Sequence, residues 1–144
     1  MSLSAWKINI FAFFFIFAVN LIFFYPVFQG KQPIPTDTLI GLYHPWRDTL
    51  REKYPRGIPF KNFLITDPVR QQIPWRKLVI DDWKNGIYPS WNRFNYLGAP
   101  LSANIQTALF YPLNIIFILM EFSAAWTVLI VLHPFLSALF MYLY

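Results

Sequence analysis

Two long apolar segments bracket a polar, aromatic and basic stretch, and no other feature limits the possible folds of this chain as strongly. The first segment, Ile8–Phe28 (INIFAFFFIFAVNLIFFYPVF), contains no charged residue. At a helical rise of about 1.5 Å per residue it reaches about 31 Å, the hydrocarbon thickness of a bilayer. The second runs from about Ala108 to Tyr144 and carries one charge, Glu121. The pattern predicts an all-α integral membrane protein in which two transmembrane helices flank a long loop. The chain ends inside an apolar run, SALFMYLY, and reads as the N-terminal piece of a longer protein.

The expected organisation is a short cytoplasmic N-terminus (1–7), a first span (8–28), an external loop (29–107), a re-entrant or interfacial helix (108–120) and a second, truncated span (122–144). Residues 108–120 are too few to cross a bilayer, and Glu121 marks the break before the longer run. The apolar run of the first segment exceeds the roughly 7–15 residues of a signal-peptide core and precedes no small-residue cleavage site, so a retained helix is expected. On it, Asn20 suits a hydrogen bond to a neighbouring helix. His133-Pro134 falls near the middle of the second span, where proline bends a helix. The basic loop would favour the cytoplasm by the positive-inside rule, but that rule weakens for loops beyond about 60 residues. The loop is therefore placed outside.

Charged residues make up 13% of the chain, about half the share of an ordinary soluble domain. All but one of the 12 Lys and Arg, and all but one of the seven acids, lie between Lys31 and Arg93. A basic surface tethered beside a bilayer suits anionic headgroups or a phosphate-bearing substrate, and nucleic acid is not an expected partner. The chain has no cysteine, so disulfides and thiolate metal sites are excluded. The loop is rich in Pro, Trp and Tyr, a composition that argues for folding against the membrane surface rather than disorder.

Within the loop, TDTLIGLYHPWR (36–47) and TDPVRQQIPWR (66–76) echo one another, each running from Thr-Asp to Pro-Trp-Arg. Each reads as a capped turn leading to a short juxtamembrane amphipathic helix started by proline, Pro45–Lys53 and Pro74–Asn85, the second ended by Gly86. Asp37 and Asp67 are accordingly either helix caps or catalytic carboxylates. Arg47, Arg51, Arg70, Arg76 and Lys77 lie near them in sequence. A carboxylate able to take a proton from an acceptor hydroxyl, beside guanidinium groups able to hold a departing phosphate, suits group transfer from a phosphorylated donor. The same arginines are equally suited to lipid headgroups or to pairing with nearby acids. His44 is a further base or ligand candidate, without a second His at metal-binding spacing. No zinc motif, phosphate-binding glycine loop or nucleophile elbow is present; no cofactor is indicated, and a divalent metal stays open.

TDPVRQQIPWRKLVIDDWKNGIYPSWNRFNYLGAPLSANIQTALFYPLN, about a third of the chain, resembles the first external loop of YfhO-like bacterial membrane proteins. The matching features are Asp67, the glutamines Gln71 and Gln72, the G-x-x-P-x-W-N stretch Gly86–Asn92, the segment Gly98–Gln106 and the F-Y-P-L-N run Phe110–Asn114. That family is similar to GT-C glycosyltransferases, many-spanning enzymes that use polyprenyl-phosphate sugars outside the membrane and place a catalytic Asp in this loop. The resemblance implies the N-terminal part of a GT-C-like fold, needing further transmembrane helices and inactive as this piece alone. Asp67 or Asp37 would be the base; Arg70, Arg76 and Arg47 would hold the donor, with Gln71, Gln72, His44, Trp91 and Asn92 lining the site. The acceptor would be a cell-surface glycan, lipid or protein. A non-enzymatic lipid-handling protein with a headgroup-binding loop is the alternative.

Overall fold

Runs of Phe, Ile, Leu and Ala have nowhere to go in water except a helix or a core, and in this chain they form its two longest helices. The computed structural model describes residues 3–57, 62 and 64–144, with side chains from residue 9 onward. The expected tail 1–7 lies partly outside the described residues. The chain is mostly helical and divides into two units, Met1–Pro33 with Leu119–Tyr144, and Ile34–Ile118.

In the first unit, α1 (Leu3–Phe23) runs antiparallel to α7 (Phe122–Leu143). Contacts near one end of α1 meet the far end of α7: Tyr142 Oη donates to Asn9 Oδ1 at 3.2 Å, Phe13 and Phe17 meet Phe135 edge-on, and Gln32 Nε2 reaches Ser123 Oγ at 3.0 Å. Between them, buried Asn20 donates to the Val131 carbonyl at 3.1 Å, the helix-to-helix bond expected of it. Among the described residues one helix, α7, is long and apolar enough to cross a membrane. Its 22 residues reach about 33 Å. The apolar stretch of α1, Asn9–Phe23, is shorter.

The first segment is not one helix to Phe28. Helix α1 stops at Phe23, and α2 (Tyr25–Phe28) follows as a single separate turn. Pro26 has no N–H to continue the ladder, and Phe24 leaves helical geometry at φ −92°, ψ 19°. Glu121 does mark the start of α7. Its extended backbone (φ −61°, ψ 146°) lets its carboxylate accept from Ser123 N at 2.8 Å and Ala124 N at 3.1 Å. Pro134 lies inside α7, and His133 Nδ1 folds back to within 2.5 Å of the Leu129 carbonyl.

The second unit is built from short pieces. Helices α3 (Asp37–Leu42) and α4 (Trp46–Thr49) precede a π-helical turn (Pro68–Gln72), which runs directly into α5 (Ile73–Lys84). The helix expected at Pro74–Asn85 is therefore present almost as drawn, and Gly86 closes it. At φ +70° it lets its own N–H bond the Trp83 carbonyl and Ile87 N bond the Asp82 carbonyl. The helix expected at Pro45–Lys53 is a correction: only one turn forms, followed by turns through Lys53. Thr49 Oγ1 bonds back to the Trp46 carbonyl, and Arg51 N closes a tight turn on Asp48, so the ladder ends before a second turn is complete.

The helix expected over 108–120 is a second correction. Ala108 is left-handed (φ 52°), Pro112–Asn114 is a 3₁₀ turn, and only α6 (Ile115–Leu119) is α-helical. Fully buried Asn114 holds the break by donating from Nδ2 to the Ala108 carbonyl at 2.5 Å. Strands β1 (Trp91–Asn92) and β2 (Ala99–Pro100) pair antiparallel, Trp91 opposite Pro100 and Asn92 opposite Ala99. Buried Val79 of α5 packs with Leu101 and Leu109, flanked by Trp75, Leu78 and Trp83. That cluster fixes α5 against the loop that follows β2.

Candidate functional site

The residues at the two cap positions, Thr36 and Asp67, make no side-chain capping bond, which corrects that half of the expectation. Asp37 is already in the first turn of α3, and Thr36 before it makes no capping bond. Asp67 occupies the cap position of the π-helical turn and also makes none. The reason is backbone geometry. An N-cap side chain reaches the exposed N–H groups from extended φ/ψ, whereas Thr36 (−69°, −18°) and Asp67 (−57°, −40°) are helical. Glu121 and Asn104 have extended dihedrals, and both cap. Asp67 is exposed and Asp37 half-buried.

Arg70 leaves the backbone within one turn of Asp67. Its guanidinium lies 5.8 Å from the centroid of the Tyr43 ring, at the end of α3, so it joins the two Thr-Asp halves. A cation over a ring face engages the ring electrostatically and uses none of the guanidinium's N–H donors in a hydrogen bond to it. Arg70 also lines a groove of about 350 Å³ with Pro74, Trp75, Lys77, Leu78 and Asp81 on one side and Asn92, Phe94 and Asn95 on the other. Lys77 Nζ sits 2.6 Å and 2.5 Å from the two Asp81 oxygens, so these charges offset one another and Arg70 adds a further cation. Asn92 is buried, and its Oδ1 accepts from Phe94 N at 2.9 Å.

The remaining expected site residues are not gathered in this groove. Arg47 lines a second one, of about 330 Å³, with Asp48, Arg51 and Tyr54. His44 is bonded there to Asp48 through Nδ1 and receives Arg47 Nη2 on Nε2 at 2.6 Å. A guanidinium only donates, so Nε2 is the acceptor and the proton sits on Nδ1. Arg76 is half-buried, its guanidinium 5.8 Å from the Phe117 ring centroid. Burial pulls its pKa below the usual arginine range, with Tyr111 acting in the opposite direction. Gln71 and Gln72 are half-buried in the π-helical turn. Trp91 is half exposed and packs on Gly98, as its ring would lie 2.1 Å from a β-carbon placed there.

Asp81, Trp75, Phe94, Asn95 and Tyr43 carry no site signal of their own in the sequence, and Lys77 stands out there only as one of the cations near the Thr-Asp pairs. A signal for part of the set does exist: Arg70, Pro74, Lys77, Leu78 and Asp81 recur at spacings of three and four, one face of a continuous helix. Among the described residues no cluster of three or more His, Asp or Glu side chains is placed to hold a metal ion. No protein family, curated protein or solved structure matches the chain.

Proposed function

We propose that this chain is part of a GT-C-like membrane transferase, resembling the YfhO-like proteins, that moves a sugar from a polyprenyl-phosphate donor to a cell-surface acceptor. In this reading α1 and α7 both span the cell membrane and residues 29–107 face outward. The observation that carries it is an exposed carboxylate that makes no side-chain cap, Asp67, three residues before Arg70, which lines a groove whose other charges, Lys77 and Asp81, offset one another. Asp67 is the general base, in preference to half-buried Asp37. It takes the proton of the acceptor hydroxyl as that oxygen attacks the anomeric carbon. The bond from that carbon to the phosphate oxygen breaks, and the leaving phosphate carries its charge to Arg70. Asn92 and Asn95 offer amide groups to sugar hydroxyls across the groove.

The test is transfer from a polyprenyl-phosphate sugar by the membrane-embedded protein in proteoliposomes. Asp67→Asn removes the base while keeping size, and lowers transfer by about 10²–10⁴-fold. Asp37→Asn stays within a few-fold of the unaltered protein. Arg70→Lys retains more activity than Arg70→Ala, because charge survives but the planar fork does not. Near-normal transfer by Asp67→Asn refutes the assignment. If the Arg70 variants then also lose lipid binding, a non-enzymatic lipid-handling role takes its place.

A further inference from the structure

We propose that the tip of the β1–β2 hairpin, residues Arg93–Leu97, is a wedge that inserts into the headgroup layer of an anionic bilayer. The proposal does not rest on transfer chemistry; it rests on α7 spanning a membrane. At the tip Tyr96 and Leu97 are as exposed as side chains in an extended peptide, and Phe94 is 73% exposed. Scattered apolar residues on a surface need no explanation, but three within four positions of one turn form a patch. Their exposure is built into the turn. Asn92 Oδ1 accepts from Phe94 N at 2.9 Å, and Gly98 N bonds the Asn95 carbonyl at 2.5 Å. Tyr96 is left-handed at φ 46°, a conformation that a bulky residue adopts only when its surroundings impose it.

Three features select a lipid surface as the occupant. The chain that carries the tip continues into α7, a helix long and apolar enough to cross a membrane, so a bilayer is a tethered neighbour. From Trp83 to Met120 the sequence contains no Asp or Glu, and its only charges are Lys84 and Arg93. The Arg93 guanidinium lies over the Phe94 ring at 5.3 Å from its centroid, placing a cation beside the apolar tip. An apolar point, a phenol and a flanking cation match the chemistry of the acyl boundary, the carbonyl zone and the phosphate layer.

The chain has no cysteine, so single labels are simple to place. An environment-sensitive fluorophore is attached at Leu97→Cys, with Arg56→Cys as an aqueous control and Ser137→Cys as a control in α7. The protein is reconstituted in vesicles of phosphatidylcholine and phosphatidylglycerol. The Leu97 label is expected to be quenched by nitroxides on shallow acyl positions and shielded from a water-soluble quencher. The Arg56 label should behave in the opposite way, and the Ser137 label should be quenched from lipid. Arg93→Gln should lower the ratio of inserted to free tip about fivefold, the worth of one basic side chain at an anionic surface. Phe94→Ser with Tyr96→Ser should free the Leu97 label, which shows that the fluorophore alone does not drive insertion. A Leu97 label as open to water as the Arg56 label, while Ser137 is in lipid, overturns the proposal. So does shielding from water without lipid quenching, which assigns the tip to a protein partner. A Ser137 label outside lipid removes the premise and overturns it as well.

Discussion

Gly98→Ala separates two effects that glycine usually confounds. Gly98 and Gly86 both have positive φ, +98° and +70°. At Gly86 an added β-carbon meets nothing within 4 Å, so only backbone strain acts. That strain is about 1–2 kcal/mol, partly offset by about 0.4–1 kcal/mol from a stiffer unfolded chain, leaving Gly86→Ala near 1 kcal/mol. At Gly98 the same carbon falls 2.1 Å from Trp91 Nε1, 2.6 Å from Cε2 and 2.8 Å from Cζ2. The indole must retreat by more than 1 Å, which adds roughly 1–3 kcal/mol of overpacking, for about 2–4 kcal/mol in all. The readout is amide exchange at Leu101, whose N–H bonds the Ser90 carbonyl at 2.9 Å beside the β1–β2 pair. Protection there should fall by about 30-fold to 800-fold in Gly98→Ala. In a Trp91→Ala background the same substitution should cost only its backbone share of about 1 kcal/mol. If Gly98→Ala costs the same with and without the Trp91 ring, the ring is not what excludes the β-carbon, and the reasoning fails.

Two other predictions follow from buried or capping polar groups. Asn114→Leu removes the bond to the Ala108 carbonyl and leaves that carbonyl without it, which should destabilise the second unit by about 1–3 kcal/mol in thermal unfolding in detergent. The Glu121 carboxyl is held below its usual range first by the Ser123 hydroxyl and then by the Ala124 N–H. With the folded value below the unfolded one, the cap contributes above the ordinary carboxylate range and is lost as pH falls through the depressed value. Exchange at Ser123 and Ala124 should therefore quicken on acidification, beyond the intrinsic pH effect on exchange, and Glu121→Gln should abolish that extra response.

Local signals in the sequence account for the parts of the fold that depend on a few adjacent residues. Pro74 and Gly86 bracket α5, and Glu121 opens α7, because cap and terminator chemistry acts within a turn. The break at Ala108 was hidden, since it depends on a side chain six positions later taking the carbonyl that a continuing helix would use. The Thr-Asp pairs misled for a related reason. The residue type suits a cap, but the backbone already follows helical dihedrals at Thr36 and Asp67, and composition does not report φ and ψ. Of the candidate site, Arg70 and Asn92 share a groove, while Arg47 with His44, Arg76, and Trp91 sit in separate environments. Where the α5 side of the groove lies depends on how α5 packs through Val79 onto Leu101 and Leu109, a contact between segments that no local pattern encodes. The opposing wall of the groove, Phe94 and Asn95, arrives by the same packing.

The closure of α5 bears on the chemical ageing of the chain. Asn followed by Gly is the dipeptide most prone to deamidate, because an unhindered glycine nitrogen can attack the asparagine side-chain carbonyl and expel ammonia through a cyclic imide. Asn85-Gly86 is such a pair, and it is exposed. Yet Gly86 N–H is held on the Trp83 carbonyl at 3.0 Å, and Asn85 Nδ2 is held on the Asp81 carbonyl at 2.8 Å. The nucleophile and the leaving group are both tied into the helix end, so cyclisation must wait for that end to fray. The bonds that stop the helix also set how slowly this bond degrades.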